Sequence, residues 1–343
     1  MQYKFNNRGS LLDNNGNIKE PGYCNAPISQ YDRKDIKANA FRIKEWDTYL
    51  VCCDKYAISL TISDNSYVGI DTVFFVSFED GYQVTKNMTQ FLPLGRKHMP
   101  SSSESGNVIS VGSKHRIEFY QDNGSRRLVA EIMNFDDKTS LHCDLLLTEQ
   151  PQDSIVMATP MGSNSKFMYN RKTVGFKASG FVEIGDMYHE FKKEESFGVL
   201  DWGRGVLPFN SNFYQANAYG MADDKIVAFN IGYGLGDTSK ATENAAFVNG
   251  KLNKLSEVRI SIPKGSKGRE LYLEPWTFSS DDGCFEMDFR PILNRKSYKR
   301  KIITKTVKNQ VFGRYNGEIT LSTGEVLEVK NMLGYASKVI NRW

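Results

Sequence analysis

Alternation with a period of two recurs along most of this chain and fixes its fold class before any other feature. Tyr56, Ile58, Leu60 and Ile62 alternate with Ala57, Ser59 and Thr61; Val258, Ile260 and Ile262 with Arg259 and Ser261; Phe285, Met287 and Phe289 with Glu286 and Asp288. Successive side chains of a strand point to opposite faces, so each run buries one face and wets the other. Between the runs stand dipeptides that accept positive φ: Asn15-Gly16, Asp80-Gly81, Asn123-Gly124, Asn249-Gly250, Asp282-Gly283 and Asn316-Gly317. These predict hairpin turns. Hairpins in series give antiparallel meanders, whose simplest edge-free closure is a barrel.

Helical periodicity is confined to two short stretches, 86–92 and 335–341, neither with a full set of caps. The absence of an alternating strand–helix pattern argues against a parallel nucleotide-binding sheet. Residues 11–33 and the serine-rich stretch 98–112 read as loops.

The 343 residues are 40% hydrophobic and 24% charged, the balance of a globular chain long enough for about two cores. No run reaches the ~18 uninterrupted apolar residues of a membrane helix. The first ten residues lack the basic start and apolar core of a secretory signal, so a cytoplasmic location is expected. Five cysteines, with no CxxC spacing, read as reduced thiols. The four histidines are scattered, which predicts no metal site. No cofactor loop is present: Gly232-Tyr233-Gly234-Leu235-Gly236 lacks the GxGxxG spacing and reads as a bend.

A net charge of +4 does not argue for nucleic acid. Seven basic residues and no acid fall within 295–308, read here as a solvated strand face.

The densest motif is Ser196-Phe197-Gly198-Val199-Leu200-Asp201-Trp202-Gly203-Arg204-Gly205, followed by Tyr214. Two readings of it stand side by side: a buried Asp201–Arg204 ion pair bracing a strand corner, or a polar anchor at a barrel mouth with Trp202 and Tyr214 shaping an apolar pocket. A close Arg204 would hold Asp201 ionised as an anchor and leave proton transfer to His189, Tyr214 or Glu243. Thr242-Glu243-Asn244 offers a carboxylate and an amide to a ligand, or else caps a turn. Trp276, beside Pro275, is a further candidate ligand contact.

These residues resemble the bacterial family called domain of unknown function 2804. The resemblance runs through nearly the whole chain: Leu11-Leu12-Asp13 with Gly16, Gly22-Tyr23, Pro27, Tyr31-Asp32-Arg33, Lys44-Glu45-Trp46-Asp47, Asp201-Trp202-Gly203-Arg204-Gly205, Thr242-Glu243-Asn244, Val311-Phe312-Gly313-Arg314-Tyr315-Asn316-Gly317 and Arg342-Trp343. It implies distant similarity to carotenoid hydratase and AttH-like proteins, built from two lipocalin-like, calycin-like barrels in tandem. In those relatives an Asp in a glycine-rich motif near the start of the second barrel is associated with acid chemistry on an apolar polyene or terpenoid, and Asp201 is its counterpart. Val199 replaces the aromatic that stands two residues earlier.

The expectation is therefore an all-β protein with one barrel over 1–190 and a second, carrying the DWGRG motif, over 191–343. Its partner would be an apolar small molecule such as a lipid or isoprenoid, bound or turned over by hydration, isomerisation or cyclisation. The rival reading is a noncatalytic structural or carbohydrate-binding protein with a flat aromatic platform.

Overall fold

The computed structural model describes residues 2–162, 165–300 and 305–342. Its helices there are three single 3₁₀ turns, at Arg33–Asp35, Ala40–Arg42 and Ser266–Gly268; the rest of the regular structure is strand. The strands form two antiparallel sheets, each curled into a half-barrel, as the alternation predicts.

In the first sheet the hydrogen-bonded order runs Gln83–Phe91, Val68–Ser77, Tyr56–Asp64, Ile43–Cys52, Phe197–Val206, Phe167–Ile184, Thr139–Thr148, Ser125–Asp136, His115–Asp122 and Val108–Gly112. The second runs Lys251–Lys254, Ala245–Val248, Lys225–Tyr233, Asn210–Ala222, Val326–Arg342, Lys305–Thr320, Phe285–Arg300, Trp276–Ser280 and Val258–Ser261.

Each concave face encloses its own core. Leu60, Phe75, Ile117, Leu145, Phe176 and Trp202 fill the first; Phe229, Trp276, Phe285, Phe289 and Tyr315 fill the second. A third apolar cluster lies between the sheets, joining Leu50, Phe74, Val174, Phe197 and Val199 of the first to Ala228, Phe247, Phe312 and Leu333 of the second. The middle strands thus bury both faces, one into a core and one against the other sheet.

The strand with the motif sits in the first sheet, between Ile43–Cys52 and Phe167–Ile184, and not in a second barrel. The chain crosses to the second sheet only with Asn210–Ala222. Hairpin signals locate neighbours but not a late strand that inserts between two early ones, which is why the expected boundary near 190 falls short.

Other expectations also change. Residues 86–91 and 335–341 belong to the strands Gln83–Phe91 and Val326–Arg342, with Leu92 just past the first, because pairing along a sheet outweighs a weak local helical pattern. Asn316-Gly317 is no turn: it lies inside a long strand, at a bulge between Tyr315 and Gly317. Gly317 has φ 152°, and a Cβ there would overlap the Glu286 carbonyl oxygen. The other five dipeptides do turn between extended segments. Within 98–112 a strand, Val108–Gly112, follows the irregular part. Of the basic segment, 301–304 lies outside the described residues, as does Trp343; Arg295 is buried rather than solvated.

Candidate functional site between the two sheets

Alternation along Phe197–Val206 sorts the motif. Leu200, Trp202 and Val206 face the first core, while Phe197 and Val199 join the layer between the sheets, and Asp201 shares their side. Arg204, three residues on, shares the side of Trp202. The two charges therefore point in opposite directions, and the Asp201–Arg204 pair expected from their spacing does not form. Arg204 pairs instead with buried Asp47 at 2.8 Å and donates to the carbonyls of Trp46, Gly203 and Pro100.

Asp201 is paired across the sheet. Lys172 stands opposite it on Phe167–Ile184 and its ammonium contacts Asp201 Oδ2. The Trp46 indole N–H donates to Asp201 Oδ1 at 3.0 Å. Trp46 faces Gly203 in the register, and a Cβ at 203 would overlap its ring, so glycine there lets the indole lie across the strand. Lys172 and Trp46, not Arg204, are thus the partners of Asp201.

Glu243 closes the arrangement from the second sheet. Asn170, two residues before Lys172, donates to Glu243 Oε2 at 3.4 Å, and Asn230 donates to the Glu243 carbonyl at 3.0 Å. The carboxyl rests on Gly232, where a Cβ would overlap Glu243 Oε1. Burial pushes its pKa up, Lys172 opposes this, and the Asp201 carboxylate adds to it. Beside it is a recess of about 20 Å³ lined by Met157, Met168, Gly232, Leu235 and Glu243, room for one water molecule.

Three more groups reach the same space. Burial pushes the Lys308 amine down to about 7, with Arg295 and Lys172 adding repulsion and Asp201 opposing it. Arg295 lies 3.8 Å from the centre of the Phe74 ring and donates to Gln310 Oε1. Burial raises the Tyr335 phenol, and the Asp201 and Glu243 charges push the same way. Among the described residues the carbonyl oxygen of the Asn170 side chain is buried with no donor.

The other expected residues lie elsewhere. His189 packs against Tyr56 and Phe75 at ring separations of 5.1 and 4.6 Å, and burial lowers its pKa. Tyr214 packs against the second core beside Tyr233. Trp202 and Trp276 are wholly buried, Trp202 edge-on to Tyr31 and Tyr169, Trp276 donating to the Tyr272 carbonyl. Asn244 braces the bend: it accepts from Gly232 N–H at 2.8 Å and donates to the Ser256 carbonyl. Sequence reasoning missed Trp46, Asn170, Lys172, Lys308 and Tyr335. The signal was polarity in strands that otherwise bury both faces, as in Asn170-Arg171-Lys172.

Two curled antiparallel sheets packed on one another share the tandem lipocalin-like fold of AttH-like proteins. The chain belongs to the family described as domain of unknown function (DUF2804), whose model matches residues 2–343. Among solved structures it is similar to an AttH-like protein of Nitrosomonas europaea, with 11% identity, a TM-score of 0.54, and coverage of 91% of this chain and 97% of that one. It is similar also to kievitone hydratase of Nectria haematococca, with 10% identity, a TM-score of 0.52, and coverage of 97% and 98%. No curated protein matches the chain.

Proposed function

We propose that the cluster between the sheets carries out acid–base chemistry on an apolar small molecule of lipid or isoprenoid kind, whose apolar body occupies the opening of about 180 Å³ lined by Val174, Tyr219, Ala228 and Phe247 in the same layer. The observation that carries this reading is the convergence of Asp201–Lys172, Glu243 and Lys308 from both sheets within an apolar layer. A carboxyl pushed up and an amine pushed down, both within reach of the Lys172–Asp201 pair, are the pattern of an acid and a base held ready near neutral pH.

In this reading Glu243 gives its proton to a carbon of a substrate double bond. Asp201, held by Lys172 and Trp46, stabilises the positive charge that develops there. A water adds to that carbon skeleton, and its released proton passes to the Lys308 amine and returns to Glu243, so that alkene and water give an alcohol. Loss of a proton from another carbon in place of water addition would give the isomer. Kievitone hydratase, a hydratase on a similar fold, is consistent with this chemistry.

The test is mass spectrometry of small molecules extracted from the purified protein, compared with Glu243→Gln. A lipid or isoprenoid retained by the native chain, and not converted by the variant, supports the proposal. Retention of sugars alone would overturn it in favour of a carbohydrate-binding role.

A further inference from the structure

The first half-barrel holds a second cluster of charge, on the opposite side of the sheet from Asp201. Arg126, Arg171 and Arg204 come from three different strands, each on the inward face that also carries Leu128, Tyr169 and Trp202, and each is 3% exposed or less. Three guanidinium groups inside a barrel require anionic or carbonyl partners.

Those partners come from the irregular segment 99–107. Pro100 O accepts from Arg204 Nε and Nη2, and Ser103 O accepts from Arg126 Nη2. Arg171 Nη1 donates to Ser103 Oγ and to Glu104 Oε1, both at 3.2 Å, while its Nε donates to Ser154 Oγ. Gln150 Oε1, Ser125 O and the Tyr49 side chain also bond Arg126.

The fixed charges inside do not balance without this segment. Glu45 pairs with Arg33, and Asp47 pairs with Arg204. Asp47 also lies within electrostatic reach of Arg126, which Tyr49 bonds, whereas the carboxylate on Arg171 is Glu104. That side chain is 54% exposed and meets Arg171 through a single nitrogen, where an arginine accepts a carboxylate best through two. A weak, solvent-reachable contact thus covers a strongly cationic, buried site.

We infer that Arg126 and Arg171 form a carboxylate-binding site in the first barrel, which Glu104 covers and a small-molecule carboxylate takes over. The inference is independent of the chemistry proposed between the sheets, since the two sites lie on opposite faces of Phe167–Ile184.

The experiment is calorimetric titration of the full chain with sodium decanoate and sodium acetate. Glu104 acts as a tethered competitor: a contact made about two-thirds of the time weakens apparent affinity by about threefold, so Glu104→Gln should tighten binding by about that factor. Arg127→Gln, which removes an exposed arginine paired with Asp144 on the outer face, should leave the affinity unchanged. Tighter binding of decanoate than of acetate would identify a fatty acid as the source of the carboxylate, and equal affinities a free small anion. Equal affinity of the native chain and Glu104→Gln, or no binding by either, would overturn the inference. Glu104 is exposed enough that its variant should fold, so the outcome does not depend on replacing a buried arginine.

Discussion

The Glu243 carboxyl lies against the backbone of Gly232, at a place that any side chain on residue 232 would occupy. The end of a glutamate can swing away, so the protein should tolerate a methyl group there while the carboxyl moves off Asn170. Gly232→Ala is expected to fold with a stability loss below about 2 kcal/mol, within the range of ordinary substitutions. Its retained-ligand profile should match that of Glu243→Gln. A Gly232→Ala protein with native ligand turnover would show that the carboxyl need not sit where it does.

Gly203 poses the same constraint with a rigid neighbour. The Trp46 ring cannot swing clear as easily, so Gly203→Ala should cost about 1–3 kcal/mol, the usual penalty for overfilling a packed site. In denaturant titrations a second change, Trp46→Leu, should recover part of that loss. Strict additivity of the two changes would argue that they do not share the space.

The two aspartates flanking this sheet predict different costs. Asp47→Asn leaves Arg204 fully buried without its counterion and should destabilise by about 3–5 kcal/mol. Asp201 is 21% exposed at its side chain and keeps the Trp46 donor, so Asp201→Asn should cost about 1–3 kcal/mol, as for a hydrogen-bonding group left short of a partner. Chemical denaturation of both variants checks the order. A larger loss for Asp201→Asn would make its pair with Lys172 the main brace of the sheet.

Period-two alternation made the strand content and the antiparallel meander legible, since Leu60 and Ile62 on one face and Ser59 and Thr61 on the other follow from the pleat alone. The motif was legible as a site, but its wiring was not. Asp201 and Arg204 are neighbours in sequence, yet a strand sends residues three apart to opposite faces, and partners across a sheet, such as Lys172, depend on register set by distant turns. Glu243 was visible as a candidate because it followed a glycine-rich bend. Lys308 was hidden in a basic run that reads as a wetted face until Phe74 and Phe312 are seen to cover its neighbourhood. Asn316-Gly317 misled because an Asn-Gly pair serves a bulge as well as a turn.

Lys308 gives the last prediction. Its amine titrates at about 7 in the folded protein because burial disfavours the ammonium, while the unfolded chain keeps the ordinary value of 10.5. Between those two values the unfolded state binds more protons, so this group makes stability rise with pH from about 7 towards 10.5. Lys44 and Lys254, also pushed down to about 7 by burial, act in the same direction. Glu243 acts in a lower window: its folded pKa lies above the ordinary 4.5, so its contribution is full below that value and fades as pH rises through the folded pKa. Lys308→Met should therefore raise stability at pH 7.5 and reduce, without abolishing, the upward slope of stability between pH 7 and 10, as followed by urea denaturation at stepped pH. An unchanged slope in the variant would mean that the Lys308 ammonium is as well solvated in the folded protein as in the unfolded chain, and it would remove this lysine as the base in the proposed reaction.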